Sequence, residues 1–231
     1  MPPTGTPAES EIDPRIAKAV TKRVGHAAPW TDSELEGVTN LHISHARDIS
    51  GLLRCPKLRI LLLIGCDPVE MGSLTSLSSM VSLTVEDSGL HSLEGVQELP
   101  LFTLEISFNF LTNLAPAARV KPLKRINVTG NPLSPDSFYQ VIPELRSRGI
   151  DVTSSGEEEW RITRMLHEAG LPYCYYRDDQ GKFRISRPGL ALTDRPEVNH
   201  PVIAPERLME LVTDQPSEVS ELFERPDTQG G

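Results

Sequence analysis

Five segments of the sequence share one template, and they follow one another at intervals of 20 to 22 residues. Each segment has a leucine-like residue at positions 1, 4 and 6 and a small or amide residue at position 9. The segments are residues 38–46, 58–66, 80–88, 101–109 and 123–131. Their position-4 residues lie 20, 22, 21 and 22 residues apart and are Leu41, Leu61, Leu83, Leu104 and Ile126. Since both the interval and the template persist, each segment must form the same structural unit.

A short strand is predicted at the centre of each unit. Positions 4 and 6 lie on one face of a strand, so each strand offers two apolar side chains for burial. One strand cannot bury that face alone, and neighbouring units must therefore stack around a continuous core. Between strands, apolar residues recur every third position, which favours short 3₁₀ turns, as at Leu90, Leu93, Val96 and Leu99. The sequence predicts an α/β right-handed solenoid of five coils, with parallel strands on its concave face.

Position 9 of the template predicts a polar ladder inside the solenoid. Asn109 and Asn131 occupy it in coils four and five, where a buried amide can satisfy backbone groups left unpaired by the turn. Ala46, Cys66 and Ser88 occupy it in the first three coils. We expect a weaker ladder in those coils, with Cys66 acting as a small buried filler rather than a reactive thiol.

A helix is predicted before the first coil. Asp13 is a suitable N-cap, Pro14 a suitable first helical residue and Gly25 a suitable stop. Apolar residues between them lie at helical spacing, so the helix can cover the open edge of the first strand. The predicted organisation is a tail at 1–11, a helical cap at 12–34, repeats at 35–152, a small α+β unit at 153–225 and a tail at 226–231.

The repeats resemble those of internalin-like leucine-rich-repeat proteins and of the related repeat subunit that regulates a protein phosphatase. The resemblance covers about residues 12–152. Residues 12–25 resemble the helical cap that opens internalin repeats, and residues 31–38 resemble the segment that joins such a cap to the first strand. Residues 131–134 and 142–152 resemble the closing helix and last strand of bacterial repeat proteins. The resemblance implies a leucine-rich-repeat architecture that binds proteins, without naming a partner.

The last part of the chain does not follow the template. Residues 155–158 read as a capping box that starts a helix ending at Gly170. Two aromatic segments, 173–177 and 183–186, flank a loop with a glycine and predict a strand pair. Trp160 and the tyrosines are expected to form the small core of this unit. Prolines 188, 196, 201 and 205 favour extended chain, and short helices are predicted at 206–212 and 218–224.

The exposed strand positions of the concave face are the candidate partner-binding site. A solvated sheet should be polar there, yet all three outward positions of coil two are apolar. Acidic residues and an aromatic follow in coils three and four. We expect an apolar anchor with an acidic rim, suited to a protein or peptide with a basic surface. The candidate residues are Ile60, Leu62, Ile64, Thr84, Glu86, Asp87, Glu105, Phe108 and Asn127.

Alternatives remain open on the sequence alone. The N-terminal flank or the C-terminal region could fold over coil two and bury the apolar residues internally. The leading hypothesis is a non-enzymatic interaction scaffold. A first alternative is an inhibitor or immunity-type protein that blocks a target enzyme, and a second is a catalytic C-terminal unit to which the repeats recruit substrates. Cys174 with His167 or His200 as base is the catalytic candidate, but core packing of Cys174 is favoured.

Other classes of function are not expected. The net charge of −9 offers no basic surface for nucleic acid. The longest apolar run, 60–64, is too short to span a bilayer, and the first residues lack the features of a secretory signal. His42 and His45 point to opposite faces of a strand, which disfavours a metal site with His26 or His91. Three cysteines without paired spacing indicate a reducing, cytoplasmic environment, and no cofactor is expected.

Overall fold

The repeats form one parallel sheet. The computed structural model describes residues 12–189 and 200–224. Its sheet follows chain order, and the position-4 leucines pair in register from strand to strand. The molecule is therefore an α/β repeat solenoid. The strands are β1 (Asn40–Ser44), β2 (Ile60–Ile64), β3 (Ser82–Glu86), β4 (Thr103–Glu105), β5 (Arg125–Asn127) and β6 (Asp151–Thr153).

The core of the solenoid consists of the template positions. Positions 1, 4 and 6 of every coil are buried, and each leucine removed from water in this way contributes roughly 1.5–3 kcal/mol. The returning segments carry the predicted 3₁₀ turns at Ser50–Arg54, Met71–Leu74 and Val96–Glu98. At the fourth the turn is instead a short α-helix, α3 (Ala115–Ala118), with a proline in its first turn followed by helix-favouring alanines.

Two helices precede the sheet, α1 (Pro14–Val24) and α2 (Asp32–Glu36). The Asp13 side chain accepts a hydrogen bond from the Arg15 backbone N–H and so caps α1. The same carboxylate accepts hydrogen bonds from the backbone N–H groups of Arg47 and Asp48, at 2.8 and 3.2 Å. One side chain therefore starts the helix and fastens it to the first coil.

The polar ladder follows position 9. The Asn109 amide donates to the carbonyls of Val85, Ile106 and Ser107, and its oxygen accepts from the Ser88 backbone N–H. Asn131 donates to the equivalent carbonyls one coil later, and its oxygen accepts from the Leu111 backbone N–H. Ser88 makes a shorter version, in which its hydroxyl donates to the Glu86 carbonyl and accepts from the Cys66 N–H. The ladder thus weakens towards the first coil, as the residue types predict.

Position 8 of every coil has a left-handed backbone, which the template did not reveal. The φ angles are +59°, +61°, +48°, +53° and +73° for His45, Gly65, Asp87, Phe108 and Gly130. Three of these residues carry side chains, for which this conformation costs roughly 1–2 kcal/mol each. Since the cost recurs where glycine would avoid it, the side chains of Asp87 and Phe108 must have a compensating use.

Residues 154–189 and 200–224, here called the C-terminal unit, follow the last strand. A π turn at Ser137–Val141 and helix α4 (Ile142–Ser147) lead into β6. The unit then contains α5 (Glu157–Glu168), the antiparallel pair β7 (Cys174–Arg177) and β8 (Phe183–Ser186), and the helices α6 (Pro205–Asp214) and α7 (Glu218–Glu221). The strand pair and the helices agree with the sequence prediction. Pro196 lies outside the described residues.

Two details of the C-terminal unit differ from the prediction. The capping box is wrong: α5 has Gly156 as its N-cap, and the Ser155 hydroxyl instead accepts a 2.9 Å hydrogen bond from the Gly130 N–H. Trp160 packs on the end of the solenoid rather than in the core of the unit. Its ring stacks on Phe138 with centroids 4.1 Å apart, and its N–H donates to the Leu133 carbonyl at 2.8 Å.

Candidate partner-binding site

The register of the sheet brings the candidate residues of the concave face together. Ile64 pairs with Glu86, and Leu62 pairs with Thr84, so the apolar strand β2 lies directly beside the acidic end of β3. Ile60 is 42% exposed, while Leu62 and Ile64 are half-buried. Thr84 on β3 is half-buried beside them, and Glu105 on β4 and Asn127 on β5 are half-buried in the same row of the sheet. Part of the coil-two apolar face therefore stays accessible.

Asp87 and Phe108 are not on the open face, contrary to the expectation from the template. Asp87 is 6% and Phe108 9% exposed, because the left-handed backbone at position 8 turns both side chains towards the β7–β8 hairpin of the C-terminal unit. The C-terminal unit thus covers part of the solenoid at coils three and four, and its Gly189 lies against Gly65 and Asp67 at the end of coil two. Sequence reasoning assigned both residues to partner binding, whereas here they hold the chain's own hairpin.

Asp87 is the main polar contact between the two parts. One carboxylate oxygen accepts a 2.5 Å hydrogen bond from the Ser186 hydroxyl, and the other lies 3.4 Å from His200 Nε2. The Asp87 carbonyl also accepts from the Gly189 N–H at 3.0 Å. His200 Nδ1 and the Tyr176 hydroxyl are hydrogen-bonded at 2.8 Å. A chain of four buried polar side chains therefore links β3 to the hairpin.

Phe108 makes the apolar part of the same contact. Its ring centroid lies 4.5 Å from that of Tyr176. Behind it, the Cys174 thiol donates to the Asn109 carbonyl at 3.4 Å. Cys174 and Tyr176 flank Tyr175 along β7, and Tyr175 is buried in the core of the C-terminal unit. One face of β7 therefore packs inside the unit, and the other face packs on the solenoid. The sequence carried a signal for this in its continuous run of apolar and aromatic residues, Tyr173 to Tyr176, which is consistent with a strand buried on both faces.

A cleft of about 640 Å³ lies between the concave face and the hairpin. Residues of the solenoid strands form the floor of the cleft. The β7–β8 hairpin and its loop form the far wall, and the start of α5 closes one end. The lining combines polar and apolar surface, including the ring of Phe108, and contains side chains of both signs of charge. Its main residues are Glu86, Ser107, Asn127, Thr129, Ser155, Glu159, Tyr176, Arg177, Asp178, Asp179 and Arg184. Glu86 and Asn127 were expected in the site, whereas the hairpin residues were not.

The arginines of the cleft are occupied by neighbouring acids. Arg184 Nε lies 2.6 Å from an Asp178 oxygen, and this pair is almost buried. Arg177 Nε lies 3.2 Å from a Glu159 oxygen. Although desolvation acts to raise it, the pKa of the Asp178 carboxyl is held below its ordinary value by the hydrogen bonds that it accepts from Arg184 and from the backbone N–H groups of Lys182 and Gln180. Two of the acids on the wall are therefore neutralised within the wall itself.

Glu86 on the floor is in a different position. Burial, followed by the negative charge of Asp87, raises the pKa of the Glu86 carboxyl above its ordinary value. Glu105 acts in the same direction, while Ser107 and His200 oppose it. Within the described part of the chain, Glu86 takes part in no ion pair. The cleft thus contains a partly desolvated carboxylate without a cationic partner.

Comparison with solved structures identifies the fold. An internalin (inlF) from Listeria monocytogenes superposes on 66% of this chain with a TM-score of 0.52 and 14% sequence identity, and the match covers 54% of the internalin. The fold is that of an internalin-like leucine-rich-repeat protein. Internalin C2 (inlC2) from the same organism covers 66% of this chain and 80% of its own, with 17% identity and a TM-score of 0.48. This chain spans about half of the first internalin.

Two comparisons at the level of sequence, with protein-family models and with curated proteins, found no match that would extend the structural likeness. The likeness to the internalins therefore concerns the leucine-rich-repeat fold, and the internalin names carry no partner over to this chain.

The catalytic candidate from the sequence was Cys174 with His167 or His200 as its base. Among the described residues, no hydrogen bond joins the Cys174 thiol to either histidine. Burial raises the pKa of the Cys174 thiol well above its ordinary value, which opposes formation of a nucleophilic thiolate. His200 contacts Tyr176 and Asp87, and His167 lies against the ring of Phe110. The described residues contain no group of three or more His, Cys, Asp or Glu side chains that could hold a metal ion. They also contain no helix long and apolar enough to cross a membrane.

Proposed function

We propose that this chain is a protein-binding scaffold that holds a protein or peptide partner on the concave face of its leucine-rich repeats. The observation that carries the proposal is the apolar outward face of β2 in a sheet that is otherwise polar there. Ile60 is 42% exposed, and Leu62 and Ile64 lie beside it. A strand that exposes apolar side chains loses the benefit of burying them, so its partner must come from outside the described fold. Solenoids supply extended concave surfaces for this purpose.

The scaffold acts without catalysis of its own, and its partner carries positive charge. The acidic residues of the next two strands, Glu86 on β3 and Glu105 on β4, favour such a partner through charge complementarity, which mainly steers association and selects among partners. The three cysteines are free thiols. Free thiols fit a reducing compartment, and a cytoplasmic location is part of the proposal.

Capture from an extract of the source cell tests the scaffold. The wild-type chain is compared with Leu62→Asp and Glu86→Lys, which place a charge on the apolar strand and reverse the acidic rim. The matched control is Leu53→Asp, since Leu53 is 45% exposed on the 3₁₀ turn of the preceding coil, away from the concave face. We expect wild type and Leu53→Asp to capture the same proteins and the two concave variants to lose them. Undiminished capture by folded Leu62→Asp would contradict the proposal.

An inhibitor or immunity-type protein would use the same face. The two readings differ in what happens to the captured protein. Stoichiometric loss of that protein's enzymatic activity on addition of the chain would identify an inhibitor, whereas a scaffold leaves the activity in place.

A further inference from the structure

We propose that the cleft between the concave face and the β7–β8 hairpin receives an arginine side chain of the partner, with the carboxylate of Glu86 as its main acceptor. The inference rests on the proposed function, because it requires a partner segment on the concave face. It adds the chemistry that the partner must bring and a role for the C-terminal unit. The unit becomes the second wall of the binding site rather than only a cover for coils three and four.

The geometry joins the cleft to the apolar strand. Glu86 lies on the cleft floor and pairs in register with Ile64 on β2. Neighbouring strands are about 4.8 Å apart, so the apolar anchor and the carboxylate are one strand spacing apart. A partner segment that crosses the strands can therefore place an apolar side chain on β2 and a neighbouring cationic side chain beside Glu86.

The charge distribution selects a cation for the cleft. The wall arginines Arg177 and Arg184 each pair with a wall acid, Glu159 and Asp178, so these pairs add no net positive charge to the cleft. Asp179 adds a further carboxylate on the hairpin loop at the cleft. A negatively charged or neutral side chain would cover the half-buried Glu86 without giving it a counter-ion, which is the costly arrangement. A cationic side chain supplies the counter-ion that Glu86 lacks.

The remaining lining favours a guanidinium over an ammonium. The floor beside Glu86 offers hydroxyl and amide oxygens, from Ser107, Thr129 and Asn127. A guanidinium has five N–H donors in a flat fork and can engage a carboxylate and a second acceptor together, whereas an ammonium is a compact point charge. The raised pKa of Glu86 agrees with a cationic ligand of either kind, since it reflects a carboxylate that burial has partly desolvated and that lies near the negative charge of Asp87.

Peptide titration tests the inference with the full chain. The probe is the capped peptide Ac-Gly-Leu-Arg-Gly-NH₂, and its twin has citrulline in place of arginine, which keeps the shape and removes the charge. Binding is followed by the backbone amide resonances of Ser107 and Thr129. We expect the arginine peptide to bind about ten- to a hundredfold more tightly than the citrulline twin, the difference that one charge-assisted hydrogen-bonded pair supplies. A lysine peptide should lie between them.

Two variants assign the effect to the cleft. Glu86→Gln keeps the shape of the floor and should abolish the preference for arginine over citrulline. Glu98→Gln is the control, because Glu98 is exposed on the convex 3₁₀ turn Val96–Glu98. The control should keep the preference in full. Asp179→Asn should reduce it only a few-fold, since that carboxylate is at the loop rather than on the floor.

The outcomes separate this inference from the scaffold itself. Equal binding of the arginine and citrulline peptides would overturn the inference, even if Leu62→Asp still abolished capture and left the scaffold standing. Retention of the arginine preference in Glu86→Gln would also overturn it. So would the absence of any shift at Ser107 and Thr129 with the arginine peptide at millimolar concentration. The inference would be supported if Glu86→Gln lost the preference for the arginine peptide and Glu98→Gln kept it.

Discussion

The carboxylate of Asp87 accepts a 2.5 Å hydrogen bond from the hydroxyl of Ser186, which follows it by 99 residues. Both side chains are buried, and the second carboxylate oxygen faces His200 at 3.4 Å. A buried carboxylate is tolerated only where its oxygens have partners, so this aspartate makes sense only with the hairpin in place. The repeats and the C-terminal unit are therefore matched surfaces, and the cleft between them is a built feature of the fold.

Asp87→Ala should loosen the hairpin. The substitution leaves the Ser186 hydroxyl without its buried acceptor and removes the carboxylate that faces His200, and we expect the free energy of unfolding to fall by about 2–3 kcal/mol. Alkylation of Cys174 should become faster as well, because this thiol is buried at the same contact and donates to the Asn109 carbonyl. Urea unfolding measures the first effect, and mass spectrometry of the labelled thiols measures the second.

The control for Asp87 is Asp151→Ala. Asp151 lies 3.2 Å from Arg125 at the other end of the sheet, but both side chains are largely exposed. Exposed pairs of this kind contribute roughly 0–1 kcal/mol. Equal losses of stability in the two variants, or unchanged labelling of Cys174 in Asp87→Ala, would show that the buried contact does not hold the hairpin.

At Phe108, substitution by glycine should destabilise the protein less than substitution by alanine, which is the reverse of the order expected at most positions. Both Phe108→Ala and Phe108→Gly lose the contact with Tyr176, a loss of about 3–5 kcal/mol for a buried phenylalanine. Alanine also keeps the strain of a left-handed residue at φ +53°, whereas glycine does not. We expect the glycine variant to be the more stable by about 1 kcal/mol in urea unfolding. A more stable alanine variant would mean that the strain is relieved in another way.

The repeat fold could be predicted because its cause is local and recurrent. Leu61 and Leu83 occupy equivalent positions 22 residues apart, and the strand, the core and the ladder of Asn109 all follow from that interval. The internalin-like fold agrees with this part of the sequence reasoning. The covered ends of coils three and four could not be predicted, since the contact of Phe108 with Tyr176 joins residues far apart in sequence.

One local signal for the candidate site was nevertheless available. Glycine occupies position 8 in coils two and five, at Gly65 and Gly130, which indicates a left-handed slot. Asp87 and Phe108 in the same slot could then have been recognised as side chains that turn away from the strand. The cleft wall itself could not have been found in this way, because the placement of Arg184 depends on the tertiary packing of the hairpin.

Asn109→Ala should cost more than Ser88→Ala, although both residues occupy position 9. The Asn109 amide has four hydrogen bonds with backbone groups, and their loss should lower the free energy of unfolding by about 2–4 kcal/mol. Ser88 has two, and about 1–2 kcal/mol is expected. The measurement is urea unfolding of both variants at neutral pH. Equal losses would indicate that water replaces the missing amide inside the turn.

Glu86→Gln should make the protein more stable at pH 7. The folded protein raises the pKa of this carboxyl above its ordinary value of 4.5, mainly through burial, so ionisation costs more in the folded than in the unfolded state. The cost is absent below about pH 4.5, where both states are protonated. It develops as the pH rises through the folded pKa and is fully present above it.

The difference between wild type and Glu86→Gln in urea unfolding should therefore be small at pH 4 and favour the variant at pH 7. Glu98→Gln, an exposed glutamate on the convex side, should change stability by no more than about 0.5 kcal/mol. Lower stability of Glu86→Gln at pH 7 would mean that the carboxylate is already satisfied within the fold. Higher stability would mean that the chain keeps a destabilising charge, and such a charge is retained where binding requires it.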